Sequence, residues 1–291
     1  MGEETHKKTP AFLSPHSQII FLGTGSGRYV RGKQFRATGG IILQALGNQL
    51  HIDPGPGAIV RAAEYGVNLR DNTAILVSHN HLGHANDLNA VIDAMTYNGI
   101  DQQGVLVCNQ TVMSGDEKTK PLLNTYYGNF LEKVITLTKG QKLGINEIEI
   151  HATQANHTDK NAIGFKIFTP EFTLVYTGDT EYTPGLAEHY KGCDIIILNV
   201  VNPRETKEGA NLCTKDAATL IEKVRPKLAI ITHFNLKMLE SDPIYEAREI
   251  QKQTGIQVIA ARDGMTISPS SYAAKSTQRT LNVFQNSNKT P

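Results

Sequence analysis

No run of apolar residues approaches the length of a membrane-crossing helix. The opening MGEETHKKTPAF is polar where a secretory leader would carry an apolar stretch, so no leader is expected there. Neither sign of charge is in excess: 29 basic and 28 acidic residues leave a net charge of +1. That balance argues against a general nucleic-acid or membrane surface and leaves room only for a local basic cleft. Cysteine is scarce, with Cys108, Cys193 and Cys213 far apart and no CxxC pair. A disulfide framework is not supported, and a reducing cytoplasm is the expected setting. Each cysteine reads as a small buried apolar residue rather than a nucleophile. Internal repeats and a strong linker are lacking too, which points to one domain.

What is present suffices for a sizeable core: 291 residues, 40% of them hydrophobic. Strand-like runs rich in β-branched residues fall at 17–22, 40–44, 49–52, 74–78 and 105–108 in the first half. The second half offers 134–137, 147–153, 164–168, 173–177, 194–200, 228–232 and 257–260. Helical periodicity marks 58–65, 87–97, 214–224 and 243–254, with Leu88, Val91, Ile92 and Met95 on one face of the second. Successive strands in each half, followed by strands alternating with helices, predict two sheets packed face to face with helices outside. Residues 109–131 read as a loop or short helical insertion. Mobile tails are expected at 1–15 and 270–291, leaving 16–269 as the folded domain.

Histidine is where the chemistry gathers. Five of the ten histidines stand where a strand run gives out. The densest case is Ser78-His79-Asn80-His81-Leu82-Gly83-His84, after the apolar run 74–77. Alternation places His79 and His81 on the same side of an extended chain. A divalent metal such as zinc needs several neutral imidazole nitrogens converging on one point, and a rigid strand end can project them. Three further strand ends carry like residues: His157 in ATQANHTD, Asp179 in LVYTGDT and His233 in LAIITHF. Singly, each also reads as a capping histidine, a turn aspartate or a satisfied core histidine. Together they offer nitrogens and a carboxylate from four strand ends.

Further marks spread over nearly the whole chain: FLGTGSG at 21–27, RATGG at 36–40, IDPGPGA at 52–58, SHNHLGH at 78–84, NH at 156–157, TGDT at 177–180 and THF at 232–234. As a set they resemble the metallo-β-lactamase superfamily, most closely the archaeal-type proteins of the tRNase Z-like branch. The resemblance implies an α/β fold, a four-layer αββα sandwich with a metal site at one edge. It implies that His79, His81 and His157 bind a first metal, that Asp179 bridges two, and that His84 and His233 bind the second. Asp53 would orient the site without binding metal. A metal-bound hydroxide would be the nucleophile, with Asp179 and His84 the residues on which catalysis turns. Homodimers are a habit of such proteins, and this sequence leaves the point open.

The sequence departs from that pattern at Gly83. The family motif is HxHxDH, whose aspartate binds the second metal and handles a proton, and glycine does neither. The first set loses nothing, whereas the second keeps only His84, His233 and a share of Asp179. Asp87, Asn80, Asp159 and Glu181 are the neighbours that could substitute, and Asp87 reads better as a first-turn helix carboxylate. Asn211 and Asn235 also differ from the His and Gly often found in relatives.

Two functions follow as expectations. One is a metal-dependent hydrolase acting on a small or short phosphodiester or other ester, with one or two zinc ions, iron and manganese being alternatives. The other is a non-catalytic metal-binding or scaffold protein descended from such a hydrolase. A tRNA precursor is not favoured as partner, because no long basic, Gly-rich segment is present, and no membrane partner is expected.

Overall fold

Alternating and clustered β-branched residues between Gly, Pro and Asn dictate a fold dominated by strands. A computed structural model describes residues 16–273. The first sheet is laid down as β1 (Gln18–Gly23), β2 (Thr38–Ala45), β3 (Asn48–Ile52), β4 (Asn72–Val77), β5 (Val105–Cys108) and β6 (Lys133–Thr136), side by side in that order. The second runs through β7 (Lys142–Ile145), β8 (Ile148–Gln154), β9 (Ile163–Phe168), β10 (Thr173–Tyr176) and β11 (Ile195–Asn202), beside which lies the short β12 (Leu212–Cys213). It continues with β13 (Leu228–Thr232) and β14 (Gln257–Ala260), and β15 (Thr266–Ile267) returns to the first sheet beside β1.

Both sheets follow one plan. β1 to β3 are antiparallel, and β3 to β6 parallel. β7 to β10 are antiparallel, and β10, β11, β13 and β14 parallel. Parallel neighbours need a crossover, and several are helical: Ala58–Glu64, Leu88–Thr96, Leu186–Tyr190, Thr214–Val224 and Pro243–Thr254. The parallel strands are buried on both faces, which is why they read as unbroken apolar runs. In β11, Ile195 and Ile197 face the inter-sheet core while Ile196 and Leu198 face the helices. In β4, Leu76 points inward, and Ile75 and Val77 pack beneath Leu88, Val91, Ile92 and Met95, the helix face expected from periodicity. Three apolar layers between four structural layers make this the αββα sandwich. Among the described residues no helix is long and apolar enough to cross a membrane.

Several boundaries differ from expectation. β2 begins two residues early because Thr38 pairs with Gly23 across an irregularity in the ladder. β7 was not anticipated; its Lys142, Gly144 and exposed edge position hide it from strand patterning. Residues 109–131 contain two short helices, Gln110–Ser114 and Thr125–Gly128. The expected N-terminal tail, 1–15, lies outside the described residues, as do 274–291 of the C-terminal one. The described residues run to Ala273. Pro269–Tyr272 forms a 3-10 turn, Tyr272 and Ala273 pack on the inter-sheet core, and Ser270 Oγ donates to Glu171 Oε2 at 2.9 Å.

In an open sheet the carboxyl ends of parallel strands leave a crevice suited to ligands. β3, β4, β10 and β13 all end at such an edge. β8, antiparallel to β9, which is antiparallel to β10, ends there as well.

Candidate metal centre

The chain leaves β4 through Ser78, and the short helix Leu82–Ala85 follows at once. The His84 amide closes that turn on the His81 carbonyl at 2.9 Å, carrying His84 back toward His79. The DPG turn after β3 packs against this helix at very close range. A Cβ on Gly55 would stand 2.0 Å from the Gly83 carbonyl oxygen and 2.3 Å from that of Thr38, so only glycine fits. At the end of β10, Gly178 takes φ 60 and turns Asp179 inward. Asp53 (φ 52) and His233 (φ 68) hold left-handed backbone without being glycine, a strain of about 1–3 kcal/mol each that the surrounding structure sustains.

All six residues expected at the site come together, in two sets. His79, His81 and His157 each offer a nitrogen within 4.8 Å of the others. His81 Nδ1 lies 3.0 Å from His79 Nε2 and 3.2 Å from His157 Nε2. The second set is His84, His233 and Asp179, with the two Nε2 atoms 3.1 Å apart. Asp179 lies between the sets. Its Oδ2 is 3.3 Å from His84, 3.8 Å from His157 and 4.0 Å from His79, and its Oδ1 is 3.3 Å from His233.

Outer partners decide which nitrogens are free. His157 Nδ1 faces the Ala210 carbonyl at 2.7 Å, which can only accept, so the proton sits on Nδ1. Ser78 Oγ gives its hydrogen to Asp53 Oδ2 and therefore accepts from His79 Nδ1 at 3.0 Å. His84 Nδ1 donates to Asp53 Oδ2 at 2.8 Å. The Nε2 atoms of His79 and His157 are thus lone pairs aimed at common space, where His81 Nδ1 also points and where either its proton or a cation can meet them. This donor set fits a divalent metal such as zinc, with outer hydrogen bonds fixing the rings of His79, His84 and His157.

Electrostatics point the same way. Burial holds His79 well below the usual histidine range, with His84 adding to the effect, and burial also lowers His81 and His233. Burial alone would lower His84, but the carboxylates of Asp179 and Asp53 outweigh it and raise it to about 10. Burial would raise Asp179, yet His233 and His84 hold it well below the usual carboxylate range. The two carboxylates thus favour a positive charge at His84.

Asp53 is saturated: Oδ1 accepts from the Ser78 amide, and Oδ2 from Ser78 Oγ, His84 Nδ1 and Tyr176 OH. It orients His84 and has little left for a metal. Asn199 Nδ2 joins Tyr176 OH (3.1 Å) to Asp179 Oδ1 (2.8 Å), closing a polar circuit from Asp53 to Asp179. Sequence reasoning missed Ser78, Tyr176 and Asn199. The available signal was polar residues inside fully buried strands, which must find partners.

Among the described residues, none of the neighbouring carboxylates expected as substitutes takes the place left open at Gly83. Asp87 Oδ2 accepts from the Gly57 amide at the start of helix Ala58–Glu64. Buried Asp159 is occupied by the Asn80 and Asn161 amides, Asn109 Nδ2 and Thr111 Oγ1. Glu181 pairs with Asn156. Asn80 holds the Thr119 hydroxyl, and Asn235 caps helix Leu236–Glu240. Asn211 Nδ2 reaches only the Glu208 carbonyl, at 3.4 Å.

The family model for the Beta-lactamase superfamily domain matches residues 48–234. An uncharacterised protein of Methanocaldococcus jannaschii is 35% identical over 252 residues, covering 86% of this chain and 94% of that protein. A ribonuclease Z of Sulfolobus acidocaldarius is 24% identical over 282 residues (81% and 94%), and a metal-dependent hydrolase of Pyrobaculum islandicum is 28% identical over 206 (67% and 80%). Among solved structures, the metallo-β-lactamase-fold protein YhfI of Bacillus subtilis superposes with a TM-score of 0.72 at 16% identity, over 87% of this chain and 99% of that one. With its two-sheet sandwich and its histidine edge, the chain belongs to the metallo-β-lactamase superfamily, in the branch similar to ribonuclease Z.

Proposed function

We propose that this chain hydrolyses a small or short phosphodiester or related ester, using zinc held by His79, His81, His157 and Asp179. His84, His233 and Asp179 hold a second ion more weakly, for want of a carboxylate at Gly83. The observation that carries the reading is the convergence of His79 and His157 lone pairs on the ionised Asp179. Relatives named as a ribonuclease and a metal-dependent hydrolase support hydrolysis of a phosphate ester. When bound, the cation supplies Lewis-acid polarisation and makes water a stronger acid.

The chain's own groups do the rest. Asp179, fixed by Asn199 Nδ2, is the ionised carboxylate placed to orient an attacking water at the junction of the two sets. His84, its Nδ1 proton held by Asp53 Oδ2, keeps Nε2 turned toward Asp179 Oδ2 at 3.3 Å and so fixes the geometry of the second set. The near-zero net charge supports a small substrate over a tRNA precursor. Three unpaired buried thiols accord with work in a reducing compartment such as the cytoplasm. Turnover of bis(p-nitrophenyl) phosphate by chelator-stripped protein, restored by zinc and abolished by His79→Ala, is the expected result. Metal-dependent turnover that survives His79→Ala refutes it.

Gly83 gives specific support to a second reading, a metal-binding protein without turnover. That reading predicts no hydrolysis of any ester but a rise in melting temperature on adding zinc.

A further inference from the structure

Helix Gly27–Lys33 touches both chain segments that carry the histidines of the second set. Its lead-in is tied to the segment after His233, with Ser26 N donating to the Phe234 carbonyl at 2.8 Å. A Cβ on Gly27 would lie 3.7 Å from the Asn235 side chain. One turn on, the helix reaches the other half. A Cβ built on Gly83 would meet Arg31 Nη1 at 3.0 Å and, its own helix and chain neighbours aside, nothing else within 4 Å. The backbone at Gly83 is not left-handed, so conformation does not demand glycine there. Where a side chain would stand, a guanidinium does.

That guanidinium is unengaged. Among the described residues no hydrogen bond or ion pair occupies it; only the Arg31 carbonyl is used, by Gln34. Arg31 is partly exposed, so its head is reachable from solvent. Residues 27–36 carry Arg28, Arg31, Lys33 and Arg36 and no acid, in a chain whose net charge is only +1. Gly83 itself lines a small cavity with His84, His233, Asp53 and Tyr176, and Arg31 reaches the side of Gly83 from which a side chain would project. A cation standing where a carboxylate is absent repels a second metal ion and attracts an anion. Guanidinium is also the side chain best shaped for the paired oxygens of a phosphate.

We infer that Arg31 is a substrate-binding residue of this site: its guanidinium holds the charged oxygens of a phosphoester, a task that a fully bound second cation would otherwise perform. The inference rests on the hydrolase reading and sharpens it, since it selects anionic phosphate esters over neutral esters.

The test compares zinc-loaded wild type, Arg31→Gln and Arg31→Lys on bis(p-nitrophenyl) phosphate and on neutral p-nitrophenyl acetate, with zinc content and inorganic phosphate binding measured alongside. Arg31→Gln is expected to lose roughly 10- to 100-fold in kcat/KM on the phosphodiester, chiefly through KM, as one charge-assisted contact is removed. Phosphate binding should weaken by a similar factor, Arg31→Lys should recover part of both, and acetate turnover and zinc content should hold. Equal losses on both esters, or none on the phosphodiester, overturn the role. If wild type hydrolyses neither ester, the hydrolase reading fails and phosphate calorimetry decides alone: unaltered binding in Arg31→Gln then overturns the role of Arg31 as well.

Discussion

His84 Nδ1 stands 2.8 Å from Asp53 Oδ2, and the same oxygen takes the hydroxyls of Ser78 and Tyr176. One carboxylate, anchored after β3, thus sets the ring of a residue anchored after β4 and touches β10. Asp53→Asn keeps the shape but loses the charge that fixes His84. Zinc affinity, read by chelator competition, should fall about 10- to 100-fold, the usual effect of losing an outer-shell partner. An unchanged affinity would show that Asp53 serves folding alone.

The charge on His84 gives a pH signature. Its folded pKa, about 10, exceeds the unfolded value near 6.5. In metal-free protein its contribution is therefore fully present below about 6.5 and is lost as pH rises through about 10. His79, His81 and His233 are lowered, so they stay neutral when folded, and the unfolded chain gains protons, hence stability, as pH falls below about 6.5. Asp179 is lowered as well, and its contribution is lost in acid. Metal-free protein should melt at falling temperature from pH 7 to 10, and zinc-loaded protein should lack that alkaline decline because the metal has displaced the proton. A flat metal-free profile would contradict this.

Restoring the missing carboxylate should not by itself restore the second set. In Gly83→Asp the new side chain emerges 3.0 Å from Arg31 Nη1, a flexible group that can shift and pair with it. Elemental analysis should show little added zinc for Gly83→Asp and a clear gain for Gly83→Asp with Arg31→Gln. A full gain in the single variant would mean that Arg31 moves aside freely.

Gly55→Ala tests the close packing of the two turns. Its Cβ would meet two backbone oxygens, at 2.0 and 2.3 Å, so helix Leu82–Ala85 must move, and His84 with it. Overpacking of this kind costs about 1–3 kcal/mol or more. The melting temperature should fall and zinc content should drop.

The sandwich was legible because strands buried on both faces, such as 194–200 and 228–232, have no polar alternation to confuse them. The placement of His79, His81, His84, His157, Asp179 and His233 was legible because each follows an apolar run that ends at the same edge of the sandwich. Arg31 was not. Its helix, Gly27–Lys33, contains two glycines and buries only Val30, so no periodicity announces it. Its meeting with Gly83 joins residues far apart in the chain, which no local pattern encodes. Tyr176 and Asn199 were hidden because strand patterning counts them as interruptions rather than as partners for a buried carboxylate.

The most direct measurement is metal content per chain, by elemental analysis of wild type and His79→Ala purified without added metal or chelator. Wild type should carry at least one zinc, or an equivalent divalent ion, since three imidazoles and a carboxylate complete a tetrahedral set, and His79→Ala should show a marked loss. Folded wild type without metal, or a variant that keeps its full complement, would contradict this.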